Sequence, residues 1–198
     1  MIHIVDDDEA IRDALGFLFA SRGLASEVWP SGEAFLAAQP LAACSCIILD
    51  VRMGALSGPE LFPRLREAGV TAPVIFLTGH ADVPIAVEAL KAGAFDFLEK
   101  PFNDNQIVDI ALRAIELNQT VEAEAAQQRD IASRRATLSS REEEVMEEML
   151  KGALNKQIAD RLNIAIRTVE VHRSRVLAKM GARNAIELAT MMKDEPRR

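Results

Sequence analysis

Along the first hundred residues, short apolar runs alternate with polar or helical stretches, and most of the runs end in a side chain that can carry chemistry. Ile2-His3-Ile4-Val5 runs into Asp6-Asp7-Asp8, Ile47-Ile48-Leu49 into Asp50, and Val74-Ile75-Phe76-Leu77 into Thr78-Gly79. Ala94-Phe95-Asp96-Phe97-Leu98 runs into Glu99-Lys100-Pro101, and Leu24 to Trp29 supplies one more short run. Runs of this length, rich in β-branched residues and closed by turn formers, predict strands buried on both faces. Helical spacing fills the gaps: Ile11, Ala14, Leu15, Leu18 and Phe19 before Gly23, then Ala34, Phe35 and Ala38 behind a Ser31 cap. Further helices are predicted from about Pro59 to Ala68, from Val83 to Ala92 with Ala86, Val87 and Leu90 inward, and from near Asp104. Five strands alternating with five helices predict a doubly wound α/β parallel sheet with helices on both faces.

In such sheets ligands bind outside the carboxyl ends of the strands. Those ends would gather Asp6, Asp7, Asp50, Thr78 and Lys100. Several carboxylates in one crevice repel one another unless a cation sits among them. A carboxylate can act as nucleophile toward a phosphoryl group, giving an aspartyl phosphate. Asp50 is then the expected acceptor, Asp6 and Asp7 the holders of a Mg²⁺ ion, Lys100 the ammonium partner, and Thr78 a hydroxyl donor to the added phosphate. Asp8 and Glu9 read instead as helix-start acids, and His3 and His80 as packing or loop residues. A Mg²⁺-dependent phosphohydrolase would also use a strand-end Asp, but with a second acid two residues on, where this chain has Arg52.

The second half is helical throughout. Ser139-Ser140-Arg141-Glu142-Glu143 opens a helix with a Ser cap and early acids, its core face made by Val145, Met149 and Leu150. Asn155 starts a short helix carrying Ile158, Ala159 and Leu162, and Ile164-Ala165-Ile166 makes a tight turn. Arg167 to Met180 and Asn184 to Met192 form the last two helices. Two short helices across a tight turn, with bases gathered on the second, predict a helix-turn-helix. On its second helix Val169, His172, Val176 and Met180 share one side, and Glu170, Val171, Ser174 and Arg175 the other. The outer side would meet base edges in a major groove, with Lys156, Arg167, Thr168, Arg173 and Lys179 placed for phosphates.

Charge supports the division into modules. Residues 1–118 carry 17 acids against 8 bases, whereas residues 137–198 carry 10 against 12. Between them, Asp104 to Arg135 has no Gly or Pro, and Ile107, Ile110, Ala114, Leu117, Val121 and Ile131 keep a common phase. Either one long helix able to pair with a second copy, or a spacer that frays after about Asn118, satisfies that pattern. Cys44 and Cys46 are too close for an easy bridge and read as small apolar residues. No basic leader precedes the first strand and no apolar stretch approaches the ~20 residues of a membrane span, so a cytoplasmic protein is expected.

Val5-Asp6-Asp7, Leu49-Asp50, Gly58, Thr78-Gly79 and Lys100-Pro101-Phe102 resemble the receiver domain of two-component response regulators, a flavodoxin-like five-stranded fold. Leu138-Ser139-Ser140-Arg141-Glu142, Asn155-Lys156-Gln157-Ile158-Ala159, Thr168-Val169-Glu170-Val171-His172 and Lys179-Met180-Gly181 resemble the LuxR-type DNA-binding domain. Their order is similar to the FixJ-type regulators, which implies a receiver over residues 1–120, a helical linker over 121–136 and a DNA-binding domain over 137–198. The resemblance further implies that a histidine kinase phosphorylates Asp50 with Mg²⁺, that the Arg52 backbone carbonyl completes the metal shell, and that Phe97 is the aromatic switch. It implies dimerisation on phosphorylation, promoter DNA and RNA polymerase as partners, and no enzyme activity beyond self-phosphorylation and dephosphorylation. Receivers commonly carry Met-Pro and Asp-Gly after the acceptor, where this chain has Met53-Gly54 and Ser57-Gly58, which bears on how long the phosphoryl group lasts.

Overall fold

The computed structural model describes residues 1–38, 44–79 and 83–193, so His80 lies outside the described residues, as does the Ala86 side chain. Five strands, β1 (Ile2–Val5), β2 (Ser26–Trp29), β3 (Cys46–Asp50), β4 (Val74–Thr78) and β5 (Asp96–Glu99), form one parallel sheet in the order β2-β1-β3-β4-β5. Alternate residues face opposite layers. Ile2, Ile4, Ile48, Ile75, Leu77 and Leu98 pack on one face with Leu15 and Phe19 of α1 (Glu9–Ser21) and Ile107, Ile110, Ala111 and Ala114 of α5 (Asp104–Arg135). Val5, Ile47, Leu49, Val74 and Phe76 pack on the other. Their partners there are Phe35 of α2 (Gly32–Ala37), Leu61, Phe62 and Leu65 of α3 (Gly58–Glu67), and Ala89 of α4 (Val83–Lys91). Burial on both faces is what makes these strands continuous apolar runs.

Spacing alone does not fix which of the periodic residues are enclosed. Ala14 is exposed, because Leu15 and Phe19 set the phase of α1. In α4 it is Ala89 that is buried, while Val87 keeps 40% of its surface. Polar periodicity in so short a helix fixes its phase poorly, and tertiary contact decides it. The fifth strand also starts at Asp96, two residues later than its apolar run.

The chain divides into two compact units, Met1–Val121 and Glu122–Arg198, with the division inside α5, which is helical without a break. The second unit holds α6 (Ser140–Leu150), α7 (Asn155–Leu162), α8 (Ile166–Met180) and α9 (Ala185–Lys193) around Val145, Met146, Met149, Ile158, Val169, Val176, Met180 and Leu188. Ile131, in the last turns of α5, is fully enclosed in that core. Asn163 adopts φ 51°, a left-handed conformation that Asn tolerates, and lets α7 turn into α8 within three residues.

Ser139 and Glu142 form a reciprocal cap on α6, and Glu142 also takes the Lys179 ammonium at 2.7 Å with its own side chain 4% exposed. The Lys179 hydrogen bond, followed by that of the Ser139 amide, pulls the Glu142 carboxyl down to about 2. A lowered carboxylate stabilises the fold above its ordinary range, and that contribution is lost as pH falls. We therefore expect the NMR-monitored melting temperature of α6 and α8 to drop as pH falls from about 4.5 toward 2. Glu142→Gln should start lower at neutral pH and show a flatter acid limb; an unchanged acid limb in that variant would overturn the assignment.

Candidate functional site

The sheet order reverses direction between β1 and β3, and a crevice opens at the carboxyl ends of those two neighbours. Asp6 and Asp7 leave β1 there and Asp50 closes β3. One carboxylate oxygen from each of the three lies within 4.8 Å of the others. Asp6 is fully buried and Asp50 nearly so, while Asp7 faces solvent. Lys100, delivered by the end of β5, reaches both buried acids: its Nζ stands 2.8 Å from Asp6 Oδ2 and 2.6 Å from Asp50 Oδ1. The second Asp50 oxygen accepts the Arg52 amide at 2.9 Å. Burial pushes the Asp50 carboxyl above its ordinary range, against the downward pull of the Lys100 bonds. Burial alone would lower Lys100, but its hydrogen bonds to Asp50 and Asp6 outweigh that and hold the ammonium protonated.

Backbone contacts fix the acids. Asp6 Oδ1 accepts the Asp8 amide at 2.9 Å, and the Arg12 guanidinium of α1 donates to the Asp6 carbonyl at 2.8 Å. The Gly54 amide donates to Asp7 Oδ2 at 3.3 Å. Gly58 opens α3 against β3, where a Cβ would stand 2.3 Å from the Asp50 carbonyl oxygen, so no side chain fits. Thr78 ends β4 next to Asp50's strand; it is fully buried, and its hydroxyl has no hydrogen-bond partner among the described residues. Phe97 is half-buried on β5, opposite Phe76 in register, and packs against the α3–α4 layer. Asp8 caps α1 through the Ala10 amide, and His3 is enclosed with Trp29 and Phe35. Arg12 escaped the sequence reading, because a guanidinium reaching a carbonyl six residues back leaves no trace in periodicity.

Three carboxylates against one ammonium leave the crevice short of positive charge, and the donor set of clustered oxygens is that of a hard divalent cation. A buried carboxylate with a fixed ammonium beside it can attack phosphorus.

In the second unit Lys156, Arg167, Thr168, Glu170, Ser174 and Arg175 are exposed, Val171 is 43% exposed, and Arg173 is half-exposed. Glu170 lies 3.5 Å from Arg167. Val169, Val176 and Met180 face inward, with His172 half-buried beside them. The Lys179 ammonium is bonded to Glu142 and to the Thr137 carbonyl at 2.9 Å, with its side chain 38% exposed.

Residues 2–112 match the response regulator receiver domain family, and residues 136–192 match the bacterial regulatory proteins of the luxR family. The chain belongs to the DNA-binding response regulators. It is 65% identical to the C4-dicarboxylate transport transcriptional regulatory protein DctR of Rhodobacter capsulatus, over 96% of this chain and 98% of that protein. It is 45% identical to the transcriptional regulatory protein FixJ of Rhizobium meliloti strain 1021, over 96% of this chain and 93% of that protein. Among solved structures, the response regulator StyR superposes with a TM-score of 0.90 at 33% identity, covering 97% of each chain. Full-length FixJ from B. japonicum gives 0.62 at 42% identity, covering 98% of this chain and 95% of that one. A response regulator of this build is a transcription factor and not an enzyme acting on an outside substrate. No helix among the described residues is long and apolar enough to cross a membrane.

Replacing Lys100 by Met should raise the Asp50 carboxyl further, since the ammonium's pull is gone. A raised carboxyl favours the folded state in acid and costs stability as pH rises through its folded value. The Lys100→Met receiver, followed through its single tryptophan Trp29 in urea, should therefore lose more stability at about pH 8 than at about pH 5. A deficit independent of pH would contradict the charge triangle.

Proposed function

We propose that this response regulator accepts a phosphoryl group on Asp50 from a partner histidine kinase and binds promoter DNA more tightly as a result. What carries the reading is the position of Asp50, buried at the strand switch with an ammonium on one oxygen and two further acids within 4.8 Å. In the transfer, an Asp50 oxygen bonds to phosphorus as the phosphorus–nitrogen bond to the donor imidazole breaks, and the imidazole keeps the electron pair. Hydrolysis of the acyl phosphate by water returns the carboxylate, which makes the receiver a catalyst of its own charging and discharging only. A Mg²⁺ ion, held by Asp6, Asp7, Asp50 and the Arg52 backbone carbonyl, would supply positive charge to the phosphoryl oxygens when bound. Lys100 holds the opposite side of the acceptor. Thr78 has a buried hydroxyl to spend, and donating it to the phosphoryl group draws it toward Asp50. Phe97 then repacks and reshapes the surface of α4 and β5, where Ile85 and Val87 are already 39% and 40% exposed.

Pairing of two receivers on that surface presents two reading helices to a two-fold DNA site. Glu170 accepts from a cytosine amine and Val171 meets a thymine methyl, with Ser174 and Arg175 on the same face; Lys156, Arg167, Thr168 and Arg173 hold phosphates. We take residues 1–120 as the receiver, 121–136 as the connecting helix and 137–198 as the DNA-binding domain, acting in the cytoplasm on RNA polymerase at the promoter. The identity with DctR supports a C4-dicarboxylate transport locus as the target.

Treatment with a small acyl phosphate and Mg²⁺ should give wild-type protein a retarded band on a phosphate-affinity gel and tighter promoter binding at fixed salt. Asp50→Asn should show neither. Thr78→Ala should still take up phosphoryl but lose most of the gain in DNA affinity. Phosphoryl uptake or an affinity gain in Asp50→Asn would overturn the proposal.

A further inference from the structure

The carboxyl end of α8 is held by the last turns of α5, through three contacts of different kinds. Arg134 Nη1 donates to the Met180 carbonyl at 3.0 Å. That carbonyl belongs to the final turn of α8, where no helical amide is available to it. Gly181, which caps α8 at φ 73°, lies so close that a Cβ there would stand 2.2 Å from the same Arg134 nitrogen. Asp130 fixes the other side of the guanidinium at 2.8 Å, one turn back on α5. The second contact is polar: Lys179 reaches the Thr137 carbonyl just beyond α5, while the Thr137 hydroxyl bonds back to the Arg134 carbonyl at 2.6 Å. The third is apolar, with Ile131 enclosed in the core that includes Val176 and Met180. A cation at a helix carboxyl end also meets the negative end of the helix dipole, so the Arg134 contact is favoured twice over.

We propose that Arg134 is a positioning residue for the DNA-reading helix: it fixes the carboxyl end of α8, and so the angle at which the reading face meets the bases, without touching DNA itself. The inference rests on the reading of α8 as the recognition helix. Lys179 ties one side of the α8 end to Glu142 and the Thr137 carbonyl, and the charge-assisted Arg134 bond to the Met180 carbonyl adds a second tie against rocking about Val169 and Val176. Base-edge contacts depend on such placement, whereas phosphate contacts on long, flexible side chains tolerate its loss.

The test uses the full chain and a duplex that the wild-type protein selects from a randomised pool, with bulk DNA of mixed sequence as the second probe. Arg134→Met keeps the aliphatic stem and deletes the donor; Arg134→Lys keeps a donor. We expect Arg134→Met to bind the selected duplex about tenfold more weakly, roughly the loss of one base-edge contact. Bulk-DNA affinity and its salt slope should stay unchanged, and Arg134→Lys should recover most of the loss. Measurement at low temperature, with α8 amide shifts confirming the fold, separates this from plain instability. Equal affinity of wild type and Arg134→Met for the selected duplex would overturn the proposal while leaving the reading of α8 intact. So would a salt slope lower by about one, the mark of a direct phosphate contact. If wild type selects no duplex over bulk DNA, the reading of α8 falls and the proposal with it.

Discussion

The Lys100 ammonium bridging Asp6 and Asp50 is the interaction on which the carboxyl edge of the receiver sheet depends. Two buried carboxylates at neighbouring strand ends repel each other, and removing the partner of a buried charge costs about 3–5 kcal/mol. The bridge meets that demand with two short bonds, 2.8 and 2.6 Å, from one side chain. It draws Lys100, 50 residues from Asp50 in sequence, onto the acids and so joins the β5 end to the β1 and β3 ends. One positive charge still faces three acids, which leaves the crevice attractive to a divalent cation.

The surrounding backbone narrows what the acids can do. Arg12 pins the carbonyl of Asp6 and the Asp8 amide pins its carboxylate, so the buried acid cannot swing away from Lys100. The Arg52 amide plays the same part for Asp50, and Gly58 lets α3 start in contact with the β3 carbonyl. Thr78 is the exception. Leaving a buried hydroxyl without a partner costs about 1–3 kcal/mol, and the Thr78 hydroxyl beside the acid strand finds none among the described residues. The acids are thus fixed by neighbours on several sides, while the Thr78 hydroxyl has no partner among the described residues.

How far the sequence disclosed this follows from which forces are local. The strands were legible because a parallel sheet buried on both faces demands unbroken apolar runs. Their carboxyl ends were legible because topology, not detail, decides where they meet. Helix ends at Ser139 and Gly181 came from caps that involve only near neighbours. The phase of α4 was not legible, since Val87 and Ala89 are both small and apolar and only the layer beneath chooses between them. Nor was the fate of Lys179: on a helical wheel it joins the bases for DNA, and only the fold brings Glu142 within 2.7 Å of it. Arg12 and Arg134 share that difficulty, for each donates to a backbone carbonyl, and carbonyls carry no sequence signature.

The α5 helix shows why local reading left two alternatives for the connection. Its 32 residues include a middle stretch with Glu122, Glu124, Arg129 and Asp130, which lacks the apolar stripe that would hold an isolated helix. Helices shorter than about 12–15 residues are marginal in water chiefly because nucleation is costly. That cost does not apply to the middle of α5. Ile107, Ile110 and Ala114 are seated in one core and Ile131 in another, so the turns at both ends are already formed by packing. Each intervening residue then adds a hydrogen bond at the cost of its own backbone freedom, a balance close to even for Ala, Glu and Gln. Fraying must start in the interior, where it forfeits bonds on both sides before it gains freedom. A polar, unpacked sequence between two seated ends is thus a helix by continuity, whatever its own preference.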